Sequence, residues 1–143
     1  MEEVLDIKKA IKNTIMETLD IRYTEFTRER VVATMPVTPK VHQPFGLMHG
    51  GASLVLAETV ASGGSCLFID MKTQTIVGLE INANHLHSIS EGIVRAVGVP
   101  VHVGRTTLVW DVRIWDDKDR LICICRCTIA ILDKPRDLNK DKE

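Results

Sequence analysis

The feature that most constrains the fold of this 143-residue chain is a long stretch without cations. Between Lys40 and Lys72 there is no Lys or Arg, and the only carboxylates are Glu58 and Asp70. Within it, GGASLVLAETVAS (50–62) sets Ala, Leu and Val on all faces of a helix reaching roughly to Ser62, whereas a surface helix keeps its apolar residues to one stripe. Such a helix must be wrapped by other structure. Glu58 sits inside it with no local partner for an ion pair.

The flanking sequence supplies the wrapping. Val4, Ile7, Ile11 and Ile15 recur at helical spacing among Glu, Asp and Lys, predicting a first amphipathic helix. LDIRYTEF (19–26) and RVVATMPV (30–37) are β-rich, with Pro36 and Pro39 ending the second strand. A loop then runs to about Met48. After the apolar helix the period changes from 3.6 to 2, giving four strands over roughly 73–86, 92–103, 105–116 and 120–132, read as consecutive and antiparallel. In the third, Leu108, Trp110, Val112 and Ile114 share one face, and Thr107, Asp111 and Arg113 share the other. Helix, two strands, buried helix and four strands make an α+β domain. The simplest way to bury the second helix is a strongly curved antiparallel sheet around it, which is the hotdog fold. One domain is expected over residues 1–132, with a charged, solvated tail over 133–143.

Composition removes several function classes. A net charge of −1, few aromatics and no long basic run leave no electrostatic footprint for nucleic acid. The N-terminus MEEVLDIKKA lacks the basic and then apolar order of a signal peptide, and four cysteines without paired spacing suit a reducing cytoplasm. Gly50 to Ile69 has membrane-spanning length, but a carboxylate near its middle and several glycines favour a core helix over a membrane span. Cys123, Cys125 and Cys127 fall on one strand face with Leu121 and Ile129. An extended strand spreads such thiols by roughly 7 Å per step, so core packing is expected and metal binding is not.

Glu58 has two readings. In one it is a structural glutamate, satisfied by a distant Lys or by partial exposure. In the other, burial without a cation raises its pKa and makes it a base or nucleophile near neutral pH. Ser62, four residues on over the same face, is placed to orient a water beside it. The helix start is the second chemical element. Gly50 and Gly51 after His49 leave first-turn N–H groups open to an oxygen that gains negative charge, although paired glycines also mark close packing. His49 and Gln43 are uninformative singly. Helical rise separates Glu58 from His49 by roughly 13 Å within one chain. If the two act on one carbon, the glutamate comes from a second subunit.

QPFGLMHGGASLVLAE, VGLEINANHLHS and HVGRTTLVW resemble, in order and spacing, the hotdog-fold acyl-CoA thioesterases of the phenylacetate-pathway type. The likeness is nearest to the branch with 1,4-dihydroxy-2-naphthoyl-CoA and aroyl-carrier-protein thioesterases, and it runs from about residue 19 to 132. The resemblance implies hydrolysis of an acyl-CoA or acyl-carrier thioester by a cytoplasmic homodimer that assembles into a homotetramer, without cofactor or metal. It implies Glu58 as nucleophile or general base, and Gly50 as the N–H that polarises the carbonyl. Gln43 and His49 would orient that carbonyl, and Ser62 would hold the attacking water or leaving group. Gly78, His85, Leu86, His87 and Ser88 match stretches that contact the coenzyme A arm. So do His102, Val103, Gly104, Arg105, Thr106 and Thr107, with Arg105 the cation among them. Glu58 and Gln43, where the phenylacetate enzymes tend to have Asp and Asn, favour an aroyl substrate. Two alternatives remain at this point: a 3-hydroxyacyl-thioester dehydratase using His42 with Glu58, and a non-catalytic acyl-CoA binding module.

Overall fold

A computed structural model describes residues 7–135; Val4 of the expected first helix and residues 136–143 of the expected tail lie outside the described residues. The chain opens with two short helices, α1 (Ile7–Ile11) and α2 (Ile15–Thr18), where a single helix was expected. Asn13 takes a left-handed φ of 60°, and the extended Thr14 follows at φ −119°. Asn and Thr side chains compete with the helix for backbone groups, and here Thr14 Oγ1 donates to the Ile11 carbonyl.

Strands β1 (Arg22–Phe26) and β2 (Val31–Pro36) form a hairpin, and a 3₁₀ turn (Pro39–Val41) leads to the loop before helix α3 (Gly50–Ser65). Strands β3 (Gln74–His85), β4 (Ile93–Val103), β5 (Thr107–Trp115) and β6 (Leu121–Asp133) complete a six-stranded antiparallel sheet in the order β1-β2-β4-β5-β6-β3. The expected strands are present, but the four are not neighbours in sequence order. β3 pairs with β6 and β4 pairs with β2, so only β4, β5 and β6 form a meander. Periodicity identifies a strand without choosing its partner. The result leaves β3 as an edge strand.

Helix α3 touches β2 through β6, which is the sheet-around-helix arrangement of the hotdog fold. Its buried residues are Ala52, Ser53, Leu56, Ala57, Val60, Ala61, Gly64 and Ser65, spaced at alternate steps of one and three. They make one stripe, so the helix is not buried on every side. It also runs three residues beyond Ser62. The sheet supplies the other half of the core: Leu108, Trp110, Val112 and Ile114 are fully buried, and the Trp110 indole donates to Ser65 Oγ at 2.9 Å. Cys123, Cys125 and Cys127 are buried free thiols. The sulfurs of Cys123 and Cys125 lie 3.6 Å apart, nearer than an ideal strand allows, and among the described residues no three potential ligands converge on a metal position.

Candidate active site

The start of α3 is built as a set of donors. His49 is the N-cap, in extended backbone, and its Nδ1 accepts the Gly51 N–H at 2.7 Å. In the neutral ring that acceptor role leaves the proton on Nε2. The preceding loop is pinned by His49 N–H to the Val41 carbonyl at 2.7 Å and Gln43 N–H to the Leu47 carbonyl at 2.8 Å. Gly46 supplies the left-handed turn at φ 79°. Gln43 Oε1 accepts the Phe45 N–H, so its amide NH₂ is the end left to donate outward. With Gly51 satisfied by His49, the Gly50 N–H has no backbone partner among the described residues. Gly50 N–H, Gln43 Nε2 and His49 Nε2 are therefore the three donor groups that this helix start and the loop before it leave unused by the bonds just described. A Cβ on Gly50 would come within 2.8 Å of His85 Nε2, so the glycine is what lets the ring of His85 approach.

Glu58 lies two turns along, half-buried rather than enclosed. No ion pair of the described residues involves it. Its Oε1 sits directly over Gly78, where any Cβ would overlap it. Burial pushes the neighbouring Cys127 thiol up to about 12, and the negative charges of Glu58 and Glu80 add to the shift. Glu58 and Ser62 both face a cavity of about 870 Å³ between α3, the α1–α2 segment, β1 and the residues after α3. This cavity accounts for the uncovered side of the apolar helix.

One chain does not bring the two parts together. Gly50 and Glu58 belong to one unbroken helix, which separates them by roughly 12 Å. The sheet repeats the division. His85 is opposite Cys123 and Gly78 opposite Ile129 on β6, a six-residue span of roughly 20 Å. At the Gly50 end lie His85, whose Nδ1 is 3.6 Å from Cys123 Sγ, and Leu86, whose N–H reaches the Ile122 carbonyl at 2.7 Å. His87 Nδ1 is 2.9 Å from the Leu121 carbonyl, and Ser88 is exposed. At the Glu58 end lie His102 and Val103 of β4 and the turn in which Gly104 N–H meets the Thr107 carbonyl at 2.9 Å. Thr107 is opposite Ala130, Thr106 accepts the Ile131 N–H at 2.9 Å, and Arg105 is exposed. His42, the alternative partner of Glu58, has its Nε2 2.8 Å from the Ser90 carbonyl, which ties it to the loop instead.

Sequence reasoning placed Gly78 among coenzyme A contacts and missed that it makes room for the Glu58 carboxylate. It also missed Tyr23, Val55 and Thr59, which line the cavity beside Glu58. Val55 and Thr59 were readable, since they flank Glu58 on the same helix; Tyr23 is brought in only by tertiary structure.

Residues 45–123 match the thioesterase superfamily. The Bacillus subtilis protein ComA2 is 56% identical over 124 residues, covering 87% of this chain and 98% of that protein. The 1,4-dihydroxy-2-naphthoyl-CoA hydrolase of Escherichia coli is 50% identical over 114 residues, covering 80% and 83% of the two chains. The crystal structure of a thioesterase variant from Pseudomonas aeruginosa superposes with a TM-score of 0.88 at 44% identity, over 92% of this chain and 95% of that one. A helix with an unpaired Gly50 N–H at its start and, two turns on, a glutamate in no ion pair of the described residues, wrapped by this sheet, thus occurs in a chain that belongs to the thioesterase superfamily.

Proposed function

We propose that the chain hydrolyses an aroyl thioester of coenzyme A, or of an acyl carrier protein, in the cytoplasm, with Glu58 of one subunit acting opposite the helix start of another. The observation that supports this reading is the separation just described: Glu58 faces a largely apolar cavity and makes no ion pair among the described residues, while the donors suited to a thioester oxygen lie at the far end of the same helix. In the reaction, Gly50 N–H polarises the carbonyl, and Gln43 and His49 orient it. Glu58 either takes a proton from water as it attacks, or attacks the carbonyl itself before water resolves the anhydride. The C–S bond breaks, the thiol leaves with a proton, and Ser62 holds the water or the leaving group. The segments 85–88 and 102–107 receive the coenzyme A arm, Arg105 near its phosphates. Coenzyme A is part of the substrate, and no resident cofactor or metal is required.

The aroyl assignment rests on Glu58 and Gln43 as a pair and on the name of the Escherichia coli relative. The cytoplasmic assignment rests on four free thiols. A homodimer is the working unit, and two dimers form a homotetramer. The test is Glu58→Gln, which keeps shape and hydrogen bonding but removes base and nucleophile. Its kcat is expected to fall by two or more orders of magnitude, on the order of 3 kcal/mol, with KM little changed. Thioester absorbance should be followed, because thiol reagents also report the protein's cysteines. Near-normal kcat in a folded Glu58→Gln protein would return this glutamate to a structural role.

A further inference from the structure

The cavity beside Glu58 has a chemistry of its own. Its walls are mostly apolar: Ile11, Ile15 and Met16 form a roof from α1 and α2, and Phe26, Val55 and Ile76 form the sides, with Thr14, Asp70 and Lys72 the further polar residues that line it. Polar groups that line it are largely spent on the chain: Thr14 Oγ1 donates to the Ile11 carbonyl, and the Asp70 carboxylate accepts the Lys72 N–H at 2.9 Å and the Thr73 hydroxyl at 3.2 Å. Tyr23 Oη donates to the Thr59 carbonyl at 2.9 Å, and Thr59 Oγ1 donates to the Val55 carbonyl at 2.7 Å. Cys66 Sγ lies 3.6 Å from the Ser62 carbonyl. Ile15 is 54% exposed, an apolar residue held over open space rather than packed into the core. The volume of about 870 Å³ falls in the range of small-molecule sites, whereas a void of about 150 Å³ already admits benzene. Glu58 and Ser62 at the wall fix where the bond to be broken must lie.

We infer that this cavity is the acyl chamber of the thioesterase, that the α1–α2 segment is its specificity-determining roof, and that it takes a bulky acyl group poor in hydroxyls, such as a bare fused-ring aroyl. The inference rests on the hydrolase reading above and narrows its substrate. A second ring gains apolar contact against Ile15 and Val55. A ring hydroxyl directed at those walls loses its water without finding a partner, which the chamber penalises.

The experiment compares kcat/KM for benzoyl-CoA, 2-naphthoyl-CoA and 1,4-dihydroxy-2-naphthoyl-CoA in wild type, Val55→Trp and Ile15→Asp, with calorimetric binding of free 2-naphthoate alongside. Wild type is expected to prefer 2-naphthoyl over benzoyl, and over the dihydroxylated ester, by about tenfold or more. Val55→Trp should bring the naphthoyl-to-benzoyl ratio toward one by filling the chamber, and Ile15→Asp should weaken naphthoate binding severalfold. Ile15 is exposed, so its variant keeps the test valid if Val55→Trp fails to fold. Unchanged ratios and naphthoate affinity in folded variants would overturn the chamber. Equal cleavage of the dihydroxylated ester would overturn its hydroxyl-poor character. If wild type cleaved none of the esters, the hydrolase reading would fail, and loss of naphthoate binding in both variants would still establish the chamber.

Discussion

Gly78 is the position where one methyl group would do most to the site. The Glu58 carboxylate occupies the space that its Cβ would need, and Gly78 also borders the β-bulge that leaves Leu79 out of register with β6. Alanine suits a strand better than glycine, so Gly78→Ala should hold or raise the melting temperature while moving the carboxylate. Misplacement on that scale costs heavily in rate. We expect kcat to fall about tenfold or more with the fold intact, read from steady-state hydrolysis beside a thermal melt; an unchanged kcat would mean that the carboxylate has another productive position. Glu58 itself was legible in the sequence because charge is scarce around it. Gly78 and the approach of His85 to Gly50 were not, since both are contacts between helix and strand residues that lie 20 and 35 positions apart in the sequence.

Among the elements, periodicity identified each strand to within a few residues, because alternation reports a strand with one face buried. It overstated the burial of α3. An apolar helix reads the same whether its outer side meets protein or an open chamber, and here that side is the chamber. The turn between β5 and β6 has a local cause: the Asp116 carboxylate organises it. Its Oδ1 accepts the Lys118 and Arg120 N–H groups at 2.9 and 2.8 Å, and its Oδ2 accepts Arg120 Nε at 2.7 Å. The Arg120 N–H, with the Arg120 guanidinium and the Lys118 N–H, holds this carboxyl below the usual carboxylate range. A carboxyl depressed in the folded state stabilises fully above its unfolded pKa and loses that contribution as pH falls through the folded value. Asp116→Asn should therefore lower the melting temperature at neutral pH, and the difference from wild type should shrink as melts are taken down to about pH 2. A constant difference across that range would assign the turn's stability to shape rather than charge.

At the scale of the whole molecule, the edge strand β3 connects the two halves of the site. It runs from Gln74, near the Glu58 end, to His85, at the Gly50 end, and carries Val77 and Leu79 exposed at 44% and 63%. An exposed apolar edge of this length is a template for pairing. Antiparallel pairing of β3 with its copy about a two-fold axis would set the Glu58 end of one chain beside the Gly50 end of the other, and would yield two equivalent sites. Periodicity put β3 beside β4, whereas it pairs with β6 and leaves its other edge open; the helical rise asks for a second subunit if Glu58 and the Gly50 end act on one carbon, and that open edge is where the proposed dimer would form. Complementation tests it. Coexpressed Glu58→Ala and Gln43→Ala chains, each inactive alone, form hybrids in which one site carries both defects and the other carries none. With random pairing, half of the dimers are hybrid and half of their sites intact, so activity should recover to about a quarter of wild type. Failure to recover above either parent, in a preparation shown by mass spectrometry to contain hybrids, would place Glu58 and Gln43 in the same chain's site, and a fully active monomer in sedimentation would remove the shared site altogether.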